Sequence, residues 1–195
     1  MRREMRLGTV LAVMGLSAMG CLMEATLDSK GGGTMLVRMR LADETRFAAT
    51  RAQLESADVS VTKATLNEDK WARFELKFAD VTKLSTVKLF ETTTITNANA
   101  GAGTKALMVK LKSKVPSKLP PKQLEYYGKE VRIVIHLPGE IVKTNATERK
   151  GGTATWITPM NDFLGRPEAI LEVTYKTVGA ASARVSPPPA PPAAK

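Results

Sequence analysis

Cysteine and histidine are almost missing from this chain: its 195 residues contain one of each, Cys21 and His136. A lone thiol cannot close a disulfide within the chain, and with a single imidazole it leaves too few ligands for a structural or catalytic zinc site. No metal or other cofactor is expected. Aromatic side chains are scarce too, at 5%, which argues against a surface built for stacking on bases or sugars. The apolar stretch from Leu7 to Gly20 falls short of the ~20 residues that a helix needs to span a bilayer. Acidic residues are the minority, 19 Asp and Glu against 29 Lys and Arg, for a formal charge of +10. That imbalance favours anionic partners, among them lipid headgroups, nucleic acid and acidic polysaccharide.

What is present is the material of one ordinary domain, with hydrophobic residues at 43% and charged residues at 25%. The first residues have a different character. Arg2, Arg3 and Arg6 stand against Glu4, and an uncharged segment with Val10, Leu11, Val13, Met14 and Leu16 follows. A basic start leading into a short apolar run is the pattern of an export signal that is later removed. The run ends Leu16-Ser17-Ala18-Met19-Gly20-Cys21, which resembles the lipobox of bacterial lipoproteins, in which small residues precede a cysteine that is acylated and becomes the mature N-terminus. Ala18 and Gly20 fit that pattern; Met19 is larger than the usual residue. The resemblance implies residues 1–20 as signal peptide and Cys21 as the carrier of fatty-acyl groups such as palmitate. One chain gives only reversible attachment at about 0.8 kcal/mol per buried methylene, whereas several on one cysteine hold firmly. Leu22 stands where, by the common sorting rule, an aspartate favours retention in the inner membrane, so outer-membrane delivery is expected.

Residues 21–33, which include Asp28-Ser29-Lys30-Gly31-Gly32-Gly33, read as a lipidated flexible spacer. Residues 180–195, with Pro187-Pro188-Pro189 and Pro191-Pro192, read as an extended solvated tail. Between them, residues 34–179 form the expected domain. Apolar and polar residues alternate there in short runs, the period of half-buried strands. Met35, Val37, Met39 and Leu41 share one face, and Phe74, Leu76 and Phe78 oppose Arg73, Glu75 and Lys77, with Asn67-Glu68-Asp69 as a hairpin turn before them. Further strands are expected over 59–66, 86–96, 105–112, 131–137, 153–158 and 169–177. Helical spacing over 43–55 and a shorter candidate over 121–127 complete an α+β fold, mainly antiparallel sheet with one or two helices packed on a face.

The segment Val131-Arg132-Ile133-Val134-Ile135-His136-Leu137-Pro138-Gly139-Glu140-Ile141-Val142-Lys143-Thr144-Asn145, followed by Gly151-Gly152-Thr153-Ala154-Thr155-Trp156, is similar to the LppM-type bacterial lipoproteins. That family joins an acylated cysteine and an early Gly-containing strand to a strand, a Leu/Phe-Pro-Gly turn, an Asn, a second turn and a Thr-x-Thr-Trp strand. The resemblance implies an exported α+β domain associated with phospholipid or glycolipid and without enzymatic activity. The C-terminal membrane helix of some relatives is replaced by the Pro-rich tail, which leaves Cys21 as the expected anchor. No site residue transfers through it. On local turn chemistry alone, Pro138-Gly139 joins a hairpin and Lys150-Gly151-Gly152 turns the chain again. Trp156 plugs the core, covers one sheet edge or lines a ligand cleft. His136 shares a strand face with Arg132 and reads as solvated. Asn145-Ala146-Thr147 matches a glycosylation acceptor that a bacterial export signal leaves unused.

No nucleophile–base pair is legible, because the one thiol is assigned to acylation and the one imidazole lies outside any motif. Glu68-Asp69 falls in a turn, and the glycines at 31–33 lack the Lys-Ser/Thr of a phosphate loop. The strongest chemical feature is a basic stretch with Lys105, Lys110, Lys112, Lys114, Lys118 and Lys122. Leu107, Val109 and Leu111 alternate with part of it, so one strand is expected to show lysines outward, either to lipid phosphates or as an exposed edge that resists aggregation. Two functions follow: an envelope lipoprotein that holds phospholipid or glycolipid, or an assembly lipoprotein that docks an envelope complex of secretion, motility or cell-surface type. Neither involves catalysis or nucleic acid, and oligomeric state is not legible.

Overall fold

The computed structural model describes residues 19–112 and 118–177. Two sheets build the fold. The larger has seven strands in the order β3 (Val59–Leu66), β4 (Trp71–Phe78), β2 (Gly33–Arg40), β1 (Met19–Leu27), β7 (Glu130–His136), β10 (Thr153–Pro159) and β9 (Glu148–Lys150). The smaller has four, β5 (Thr93–Asn99), β6 (Thr104–Lys112), β11 (Glu168–Lys176) and β8 (Ile141–Thr144). All neighbours run antiparallel except β1 and β7. Helices α1 (Glu44–Gln53), α2 (Pro121–Tyr127) and α3 (Met160–Gly165) and two short 3-10 turns, Val81–Thr86 and Lys88–Phe90, pack around them. This is the α+β, antiparallel-dominated class expected from the alternation.

The strands form where the period of two is cleanest. In β4, Ala72, Phe74, Leu76 and Phe78 are buried while Arg73 and Lys77 face solvent. Asp43 starts α1 by accepting the backbone N–H of Arg46 at 2.7 Å, and Glu44 and Arg51 complement the helix dipole at its two ends. Phe47 of this helix stacks on Phe74, with ring centroids 5.2 Å apart, so α1 covers the β3–β4 half of the large sheet. The other half is covered by the small sheet: Leu107, Leu171, Val173 and Tyr175 join Ile133, Ile135 and Trp156 in one continuous core.

Four sequence expectations are corrected here. The supposed spacer, 21–33, holds most of β1, a central strand paired to β2 on one side and β7 on the other. Its glycines belong to a tight turn in which Asp28 Oδ1 accepts the N–H groups of Lys30 and Gly32 at 2.8 and 3.0 Å. A Cβ at Gly33 would lie 1.9 Å from the carbonyl oxygen of Thr26, so only glycine fits. The expected strand 86–96 is a strand only from Thr93, where β5 begins; a 3-10 turn ends at Thr86 and a second spans Lys88–Phe90, because Val81, Leu84 and Val87 recur every third residue and Asp80 caps the first turn by accepting Thr82 N–H at 2.8 Å.

Pro138-Gly139 does not close a hairpin. β7 ends in the large sheet and β8 begins in the small one, and a Cβ at Gly139 would lie 1.9 Å from the carbonyl oxygen of Lys176, so the crossing passes tight against the end of β11. The chain then returns through β9, and the β9–β10 hairpin turns at Gly151-Gly152. Finally, β6 is an interior strand between β5 and β11 and not an exposed edge. Residues 1–18 of the expected signal, Lys114 and the tail at 180–195 lie outside the described residues.

Candidate functional site

β1 carries Cys21, Met23, Ala25 and Leu27 on its inward face and Leu22, Glu24 and Thr26 on the other. Cys21 is half-buried against the core, and burial pushes its thiol up to about 11. A thiol held neutral in this way is a poor nucleophile. From Met23 onward the same inward face lines a cavity of about 60 Å³ between the two sheets. Met35 of β2, Ile133 and Ile135 of β7, and Leu107, Val109 and Leu111 of β6 close it, and its wall carries no exposed polar surface. Water gains no hydrogen bonds in such a space, so it favours hydrocarbon.

The lysines do not gather into one patch. Lys105 and Lys112 sit at opposite ends of β6, about 23 Å apart at 3.3 Å per residue. Lys110 and Lys112 face away from the cavity, whereas Lys105 shares the parity of Leu107 and Val109 and is paired in register with Tyr175 and Asn99. Lys118 and Lys122 are exposed before and within α2, outside β6. The expected headgroup surface is thus split by strand length and by the pleat.

Trp156 is buried at 6% exposure, and it also lines a more polar cleft of about 350 Å³ bounded by β10, Phe163 and the start of β11. Of the roles expected for it, the core position is the one observed. The indole N–H donates to Asn145 Oδ1 at 2.8 Å. The same oxygen accepts Glu172 N–H at 2.9 Å, while Asn145 Nδ2 donates to Ile170 O at 2.8 Å. Asn145 therefore stitches β10 of the large sheet to β11 of the small one, a role that the glycosylation pattern concealed. Its place in the strand–turn–Asn–strand motif was the available signal.

His136 is not simply solvated. Its Nε2 lies 2.8 Å from Glu24 Oε1 and its Nδ1 3.0 Å from Thr153 Oγ1, so it bridges β1, β7 and β10 on the outward face of the large sheet. Among the described residues no helix is long and apolar enough to cross a membrane.

No family model and no curated protein matches the chain. Among solved structures, it is similar to the NMR structure of the folded domain of LppM from Mycobacterium tuberculosis, with a TM-score of 0.50 at 10% identity, over 89% of this chain and 95% of that one. At that identity the similarity is one of fold.

Proposed function

We propose that this protein is a non-catalytic envelope lipoprotein, anchored through acylated Cys21, that holds one chain of a phospholipid or glycolipid between its two sheets. The observation that carries the reading is the intersheet cavity, lined by apolar side chains apart from Thr93, whose wall starts two residues from Cys21 on the same strand face. Cleavage before Cys21 would remove the Met19–Glu130 pair and leave every pairing from Leu22 onward. The LppM-like fold and the lipobox resemblance point the same way, and Leu22 after the cysteine favours the outer membrane.

The cavity is narrow. At about 60 Å³ it takes a few methylene groups as it stands, so an acyl chain enters by parting the side chains of β1 and β6, which no backbone ladder joins. Native mass spectrometry of the full chain extracted from membranes tests this, with a 1:1 lipid adduct as the expected result. Replacing Ala25, which lines the cavity, by Leu should reduce lipid occupancy. Equal occupancy in both proteins would place the lipid elsewhere, and a co-purifying envelope protein in place of lipid would favour the docking function.

A further inference from the structure

The strand register fixes what lies on the anchor side of Cys21. Leu22 is opposite Arg38, and Arg40 is opposite Trp71, so the Arg40–Trp71 pair stands one residue, about 3.3 Å, beyond the level of Cys21 along the sheet. On the other flank Cys21 is level with Val131, which puts Glu130, Lys129 and the Pro159–α3 corner beyond it as well. With β1 reaching back to Cys21, no flexible segment separates the acylation point from this end of the sheet.

The side chains there share a chemistry. Of the chain's two tryptophans and three tyrosines, Trp156 and Tyr175 are buried, and the other three, Trp71, Tyr126 and Tyr127, collect at this end. Arg38 stacks over Trp71 with its guanidinium carbon 4.8 Å from the ring centroid, and Arg40 over Tyr126 at 4.3 Å. Tyr126 and Tyr127 meet edge to face at 4.9 Å, and Tyr127 is 39% exposed. Lys122 in the same helix and Lys129 just after it are exposed. Amphipathic rings with flanking cations are the side chains that partition into the headgroup layer of a bilayer.

We propose that this end of the large sheet is a bilayer-seating surface, in which Trp71, Tyr126 and Tyr127 sit at headgroup level and Arg38, Arg40 and the neighbouring lysines meet lipid phosphates. The proposal rests on Cys21 being the anchor. Glu68, Asp69 and Glu125 share the same end, so ring partition carries the seating more than net charge does, and it persists in added salt. With this end on the membrane, the strands stand up from the bilayer and Met23, at the cavity, is about 7 Å above Cys21.

The test uses the full chain, exported and acylated, in vesicles of mixed phosphatidylethanolamine and phosphatidylglycerol. Trp156→Phe leaves Trp71 as the single tryptophan. Iodide access to Trp71 should fall about threefold on vesicles relative to the same variant carrying Cys21→Ser in solution, and headgroup-proximal brominated lipid should quench it. Hydrogen exchange on the acylated protein with both tryptophans in place covers the case in which that variant fails to fold: peptides spanning 68–72 and 121–129 should gain protection on vesicles. An acylated protein whose Trp71 stays open to iodide, or whose two peptides exchange as in solution, would overturn the seating surface alone. A Cys21 without acyl mass would overturn the anchor and the seating surface together.

Discussion

The indole N–H of Trp156 donates to Asn145 Oδ1 at 2.8 Å, and through that bond the two sheets are tied at the end of β8. Asn145 also accepts from Glu172 and donates to Ile170. Asn145→Ala strands a buried indole N–H and loosens β11, so it should lower unfolding free energy by about 1–3 kcal/mol in urea titration. Trp156→Phe, which keeps one aromatic ring but removes the pyrrole ring with its donor, should cost about 1–3 kcal/mol. Losses within ~0.3 kcal/mol of zero for Asn145→Ala would show that the stitch is not structural.

At Gly139 the close approach to Lys176 decides the outcome. A methyl group would overlap the carbonyl oxygen, so Gly139→Ala should cost more than ~2 kcal/mol. Gly165 has nothing within 4 Å of a built Cβ, and Gly165→Ala should stay within ~0.5 kcal/mol of the unaltered protein. Thermal melts of the pair check both.

These crossings and stitches join segments distant in the chain, which no local sequence pattern encodes. Alternation located β2, β3, β4, β6, β7, β10 and β11 because apolar residues recur in each with a period near two. β1 escaped it, since Cys21, Ala25 and three following glycines resemble a linker more than a strand whose partners are distant in sequence. A Pro-Gly turn signals a reversal but not whether the next strand stays in the same sheet, so the crossing at Gly139 looked like a hairpin. Parity placed Lys110 and Lys112 on one face of β6, yet β6 as an interior strand depends on β5 and β11, which no local pattern reveals. Trp156 was legible as a core residue; its tie to Asn145 was not.

Alkaline stability should depend on Cys21 when the thiol is free. Burial raises its pKa from 9.0 to about 11, so the folded chain holds this proton more tightly than the unfolded one. The resulting stability is complete below about pH 9 and is lost as pH rises toward 11. Tyr175, whose phenol is raised by burial although its hydrogen bond with Asn97 opposes the shift, acts in the same sense above about pH 10. Unacylated protein should therefore lose more stability between about pH 8 and pH 10.5 than its Cys21→Ala variant does. Parallel losses in urea titrations at the two pH values would contradict the burial of this thiol.

Leu107 is 2% exposed and lines the intersheet cavity. Leu107→Ala should cost about 2–5 kcal/mol in lipid-free protein. Added lipid should restore part of that loss, because a ligand that binds only the folded state stabilises it. Equal melting temperatures of the variant with and without lipid would count against an acyl chain at this position.

The most direct measurement is a set of nuclear Overhauser contacts between the acyl protons of a bound phospholipid and methionine methyl groups of the protein. Met23 and Met35 line the cavity from β1 and β2, whereas Met39 does not. Contacts from lipid to Met23 and Met35, lost in Ala25→Leu, are the expected result. Lipid contacts that bypass both methyl groups, or that survive Ala25→Leu unchanged, would contradict an acyl chain held between the sheets.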